Sequence, residues 1–170
     1  MTERAGAVTF KGNPMTLVGS EVNVGQQAPD FALVATDMSE KHLHDYKGKT
    51  VILSVVPSLD TPVCNIQTKK FNEQAGSLAN TVVLTVSRDL PFAQRRWCGA
   101  EGVQNVVCLS DYKHHTFGNT YGMVIKELGL LARGVFVING SGKVVYKQLV
   151  TEVASEPDYD KAIAAAKSAG

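Results

Sequence analysis

The chain has 170 residues, 44% of them hydrophobic and 19% charged, enough for one compact domain and too ordinary a balance for a disordered chain or a coiled-coil rod. Its 17 lysines and arginines nearly match its 16 acids, for a formal charge of +1, so no general field draws a polyanion and no local basic patch points to nucleic acid. Three cysteines are too few for a secreted disulfide scaffold, which leaves buried thiols, metal ligands or redox-active thiols.

The start, Met1-Thr2-Glu3-Arg4-Ala5-Gly6, is polar and no apolar run of signal-peptide type follows it, so the cytoplasm is the expected compartment. Two short β-like runs, Val8-Thr9-Phe10 and Met15-Thr16-Leu17-Val18, flank the turn residues Lys11-Gly12-Asn13-Pro14. They predict an N-terminal β-hairpin over residues 1–20, an extension of a single domain spanning 1–170. After the polar loop from Gly25 to Asp30, Phe31 to Val34 reads as a short strand that leads into the charged stretch Asp37 to Lys49. Val51 to Val56 is a near-continuous β-branched run, the pattern of a central strand covered on both faces. It stops at Pro57, and Pro62 suits the first turn of a helix. Val63, Ile66, Phe71, Ala75 and Leu78 would form the apolar half of that helix, interrupted by Gln67, Lys70 and Gln74. Val82 to Val86 is a second buried strand, Pro91 to Trp97 a helix with Asp89 as its cap, and Val106 to Leu109 a third strand. The longest apolar stretches, Val51 to Val56 and Gly129 to Ile138, are too short to span a membrane, and Arg133 interrupts the second. Gly134 to Ile138 and Lys143 to Leu149 flank Asn139-Gly140-Ser141-Gly142, a strong hairpin signal, and Pro157 to Ala169 predicts a C-terminal helix. This order describes an α/β domain with one mixed central β-sheet flanked by helices.

The chemistry concentrates in Pro57-Ser58-Leu59-Asp60-Thr61-Pro62-Val63-Cys64. The segment follows the carboxyl end of the central strand, where open α/β sheets place their ligands, and it delivers a thiol into the first turn of a helix. The dipole and unpaired N–H groups of a helix start favour an anionic sulfur. Thr61 can set a hydroxyl beside that sulfur, and the two prolines stiffen the loop and limit its backbone donors. Arg133, inside an apolar run, is costly to bury without an anionic partner, which a thiolate or a developing alkoxide would supply.

Pro57-x-x-x-Thr61-x-x-Cys64 resembles the peroxidatic-cysteine motif of the peroxiredoxins, and the full string resembles their thiol peroxidase subfamily, the bacterial atypical two-cysteine type. The N-terminal hairpin, Gly25-Gln26-Gln27-Ala28-Pro29-Asp30-Phe31, Ser87-Arg88-Asp89-Leu90-Pro91-Phe92-Ala93 and Leu131-Ala132-Arg133-Gly134-Val135-Phe136-Val137-Ile138 extend the likeness over nearly the whole chain. The resemblance implies a thioredoxin-like fold and no metal, haem or flavin cofactor. It implies Cys64 as peroxidatic nucleophile, Thr61 and Arg133 as the groups that position the peroxide, and Pro57 as the residue that shields the sulfur. Cys98 corresponds to the resolving cysteine, which would form an intramolecular disulfide with Cys64, and one or both of their helices would have to shift to let it form. The resemblance further implies thioredoxin as reductant, hydroperoxides as substrates with a leaning towards alkyl or lipid ones, a homodimer, and a role in antioxidant defence.

Each of these residues has a plainer alternative. Without the resemblance, the spacing of Cys98 from Cys64 carries little meaning and Cys98 could be passive packing; Cys108, in Val106-Val107-Cys108-Leu109, reads as core filler. Thr61 could simply start the helix, and Arg133 could be a surface or helix-capping charge. His42 and His44, and the adjacent His114 and His115, lack metal-ligand spacing and read as exposed loop residues, so no metal site is expected. A peroxide-sensing redox relay using the same disulfide is the competing function.

Overall fold

The computed structural model describes all 170 residues. In chain order the elements are β1 (Glu3–Phe10), β2 (Asn13–Val18), β3 (Ala32–Ala35), β4 (Glu40–His42), a 3-10 turn (Leu43–Tyr46), β5 (Thr50–Val55), α1 (Pro62–Ala75), β6 (Thr81–Ser87), α2 (Pro91–Glu101), β7 (Val106–Ser110), α3 (Thr116–Tyr121), β8 (Val124–Ile125), β9 (Leu130–Leu131), β10 (Gly134–Ile138), β11 (Val144–Leu149) and α4 (Tyr159–Ala169). The large sheet has the order β11-β10-β5-β6-β7-β3-β4. Its centre, β5, β6 and β7, is parallel, while β10 runs antiparallel to β5 and β3 antiparallel to β7.

The near-continuous apolar runs in β5 and β10 arise because both faces of the sheet are covered. Val51, Leu53 and Val55 of β5, with Phe136 and Ile138 of β10, enter an apolar cluster that also holds Phe117 and Tyr121 of α3. Ile52, Val135 and Val137 point the other way, into a cluster with Phe71 of α1, Trp97 beside α2's thiol, and Ala162 and Ile163 of α4. Proline occupies the first turn of both α1 and α2, and Asp158 caps α4 by accepting from Lys161 N–H at 3.0 Å.

Three expectations change. The strands form two sheets, because β1, β2, β8 and β9 make a separate four-stranded one. β8 and β9 have two residues each, too short to show any period, and the apolar run Gly129 to Ile138 is divided between the two sheets at Ala132-Arg133. The buried face of α1 is Cys64, Gln67, Thr68 and Phe71, whereas Ile66 is exposed; the polar Gln67 faces inward because its amide has buried partners in Ser54 and Arg133. Asp89 does not cap α2. Leu90 is the N-cap, which leaves Asp89 one residue too early, and its carboxylate turns instead to the loop before Cys64.

Candidate active site

The loop after β5 is held by that carboxylate. Asp89 accepts from Ser58 Oγ at 2.7 Å and Leu59 N–H at 2.8 Å, and Ser87 Oγ at the end of β6 donates to it at 2.8 Å. The loop is thus tied to the neighbouring strand before Thr61 and Pro62 start α1. Thr61 has extended backbone and stands at the N-cap without a side-chain capping bond. Its hydroxyl donates to Ser58 C=O at 3.0 Å, so the expected donor beside the sulfur is turned to its own loop. Cys64 sits in the first turn of α1 and is fully buried.

Arg133 reaches that turn from the opposite side. It follows β9 and precedes β10, at the parity of Val135 and Val137, whose side chains enter the apolar layer that holds Cys64 and Phe71 of α1 and Ala162 and Ile163 of α4. Its neighbour Gly134 has no room for a side chain, since a Cβ there would meet Met123 Cε at 2.8 Å and the β11 backbone at Gln148 O at 2.9 Å; the close approach of β11 fixes the backbone from which Arg133 projects. Arg133 is 2% exposed, and its guanidinium donates from Nε to Val153 C=O at 2.8 Å, from Nη1 to Gln67 Oε1 at 2.9 Å and from Nη2 to Cys64 Sγ at 3.1 Å. None of these partners is a carboxylate. The hydrogen bonds of Arg133 thus go to two neutral oxygens and the sulfur, while the carboxylate of Glu156 acts on it only through space.

Gln67 was not anticipated as a site residue. It is fully buried, accepts from Arg133 and donates to Ser54 Oγ of β5 at 2.8 Å. The signal for it was present as a polar residue that broke an otherwise apolar helical stripe. Phe10 and Lys11 were also missed. With Pro57, Thr61, Arg133 and Val153 they line a cavity of about 300 Å³, and only the tertiary position of the N-terminal hairpin brings them there. The hairpin is docked by Thr9 N–H donating to Thr151 C=O at 2.6 Å and Val153 N–H donating to Thr9 C=O at 2.8 Å, in the same segment whose Val153 carbonyl receives Arg133.

Cys98 lies in α2, half-buried, and packs on the same apolar layer as Cys64. All three cysteines are free thiols. The sulfur that Cys98 touches is Cys108 Sγ, at 3.1 Å. The hydrogen bond from Cys108 lowers the Cys98 thiol below its ordinary range, and the same contact together with burial pushes Cys108 far up.

His42, His44 and Asp45 come together with ligand atoms within 4.8 Å of one another. They stand at the edge strand β4, with β3, β7 and β6 between them and β5. His44 Nδ1 is already bonded to Asp30 at 2.6 Å. No helix is long and apolar enough to cross a membrane.

Residues 23–163 match the family model described as Redoxin. The chain belongs to the Redoxin family. It is 57% identical over 162 residues to a thiol peroxidase of Listeria monocytogenes serotype 4b, covering 95% of this chain and 98% of that protein. It is 55% identical over 161 residues to a thiol peroxidase of Bacillus subtilis strain 168, covering 95% and 96%. The solved structure of a peroxiredoxin-like protein from Aquifex aeolicus superposes with a TM-score of 0.92 at 44% identity, covering 98% of both chains. A thiol peroxidase from Chromobacterium violaceum, at 17% identity and TM-score 0.84 over 91% of each chain, shares the fold. The resemblance of the chain to the thiol peroxidases is borne out, and with it the thioredoxin-like architecture and the hairpin ahead of it.

Proposed function

We propose that this chain reduces hydrogen peroxide and organic hydroperoxides, with Cys64 as nucleophile and Cys98 as resolving thiol. The observation that carries the proposal is the 3.1 Å contact of Arg133 Nη2 with Cys64 Sγ at a guanidinium whose other bonds go to neutral oxygens. The Cys64 thiolate attacks the terminal oxygen of the hydroperoxide. An S–O bond forms, the O–O bond breaks, and the alkoxide leaves and takes a proton from water to become the alcohol. Arg133 stands where that negative charge passes from sulfur to leaving oxygen. Thr61 lines the same cavity, and rotation of its hydroxyl from Ser58 C=O to the peroxide would provide a second polar contact. The cavity wall contributed by Phe10, Pro57 and Val153 suits an alkyl tail on the substrate.

The Cys64 sulfenic acid then condenses with the Cys98 thiol, releasing water and joining the two sulfurs. A dithiol reductant, thioredoxin in the family resemblance, returns both to thiols. Stopped-flow peroxide consumption tests this sequence. Cys64→Ser is expected to fall to background, and Arg133→Met to lose about a hundredfold to a thousandfold in rate constant. Cys98→Ser should keep its first turnover and lose sustained cycling with thioredoxin. Parent-like consumption by Cys64→Ser would overturn the proposal.

A further inference from the structure

The proposed cycle leaves Cys108 without a role, yet its sulfur is the one that Cys98 touches. Cys108 lies on β7, paired with Thr85 of β6, and faces the layer occupied by α2. The two sulfurs at 3.1 Å need to close by only about 1 Å to reach disulfide bond length. A Cys64–Cys98 bond asks for more: Cys64 must leave Arg133 and Cys98 must leave Cys108. A Cys64–Cys98 bond breaks both of those sulfur contacts, whereas a Cys98–Cys108 bond builds on one already made.

We propose that Cys98 and Cys108 form a second redox pair, to which the Cys64–Cys98 disulfide transfers its oxidation by internal thiol–disulfide exchange when no reductant is at hand. This inference rests on Cys98 resolving Cys64. In the exchange the Cys108 thiol gives its proton to solvent and its sulfur attacks Cys98 Sγ. The Cys98–Cys108 bond forms, the Cys64–Cys98 bond breaks, and Cys64 leaves as a thiolate into the guanidinium of Arg133. One disulfide replaces another, so no further oxidant enters. Cys108 is buried, and burial disfavours its thiolate, which is the attacking species, so it makes a slow attacker. A reductant present in excess intercepts the first disulfide before the exchange occurs. Without it, α2 re-forms around the second disulfide, and Cys64 is free to take a second peroxide but has no resolving partner and stops as a sulfenic acid.

Two experiments test the pair and its route separately. In Cys64→Ser, treatment with the dithiol oxidant diamide should join Cys98 to Cys108 within one chain, seen by non-reducing peptide mass spectrometry. In the parent, one equivalent of hydrogen peroxide without reductant should give the Cys64–Cys98 peptide first. That peptide should then decay into Cys98–Cys108 while Cys64 becomes alkylatable, and a second equivalent should leave a dimedone-reactive Cys64. Cys108→Ala should hold the Cys64–Cys98 bond at least about tenfold longer, with Cys108→Val as a second variant in case the first is poorly folded. The inference is overturned if peroxide is consumed and Cys64–Cys98 persists equally in parent and variants, or if diamide leaves Cys98 and Cys108 both alkylatable. Failure to consume peroxide at all would instead overturn the peroxidase proposal, which the diamide arm does not depend on.

Discussion

Arg133 contributes one guanidinium to three tasks. Its Nε bond to the Val153 carbonyl and its Nη1 bond to Gln67 fix the plane that Nη2 presents to Cys64. A planar fork of donors can do this and a lysine ammonium cannot. Gln67 is then a positioning residue, since removing its amide leaves both Arg133 Nη1 and Ser54 Oγ without their buried partner. Gln67→Met should cost about 1–3 kcal/mol of stability by denaturant unfolding and slow peroxide consumption about tenfold to a hundredfold. Gln67→Glu separates the two effects. It restores an acceptor to Arg133 and should recover much of the stability, but its carboxylate competes with the sulfur for the guanidinium, so the rate should stay low. Parallel recovery of rate and stability would assign Gln67 a structural role alone.

At the scale of the elements, the two thiol-bearing helices are held differently. The start of α1 is fixed by the Asp89-anchored loop and by Arg133, and its later turns by Phe71 in the apolar layer; burial of a side chain such as Phe71 contributes about 1.5–3 kcal/mol. In α2 the buried residues are Pro91, Gln94 and Trp97, and the turn after Cys98 ends at Gly102 in the left-handed conformation. α2 is therefore the helix expected to yield when Cys98 reaches for Cys64. Trp97, the only tryptophan, is 6% exposed with an indole N–H that has no partner. One equivalent of peroxide should shift its emission to the red as the C-terminal part of α2 unwinds, and Cys98→Ser should abolish that shift; an unchanged emission in an oxidised parent would place the movement in α1. With the second redox pair formed, the emission should return toward that of the reduced protein.

For the whole molecule, the small sheet decides how the site is walled. The hairpin β1–β2 is locked at its tip by Glu152, whose carboxylate accepts from Gly12 N–H at 2.9 Å, Thr9 Oγ1 at 3.2 Å and Ala154 N–H at 2.7 Å. The Ala154 and Gly12 amides hold that carboxylate below its ordinary pKa. The lock is fully present above the ordinary glutamate value of 4.5 and is lost as pH falls through the lower folded value. Hydrogen exchange at the Gly12 amide, corrected for its intrinsic pH dependence, should lose protection over that acidic window. Glu152→Ala should show the loss already at neutral pH, and because Phe10 and Lys11 form cavity wall, it should slow reduction of a bulky organic hydroperoxide more than that of hydrogen peroxide. Equal slowing of both substrates would argue against the wall acting on the alkyl tail.

The sequence by itself determined the strands buried on both faces, the helices beginning at Pro62 and Pro91, the hairpins, and the octapeptide that brings Cys64 to a helix start, because each depends on residues close together in the chain. The break of the apolar stripe at Gln67 was equally visible, but whether such a break faces solvent or a buried partner depends on what packs against it. Tertiary structure alone decided that Arg133 meets both Gln67 and Cys64, that Asp89 holds the loop before Cys64, that the far-upstream hairpin β1–β2 walls the cavity, and that the third cysteine lies against the second. Those contacts join residues from different strands and helices, and no local pattern encodes them. Composition supplied three cysteines and left one of them idle; the fold places that one within reach of a bond.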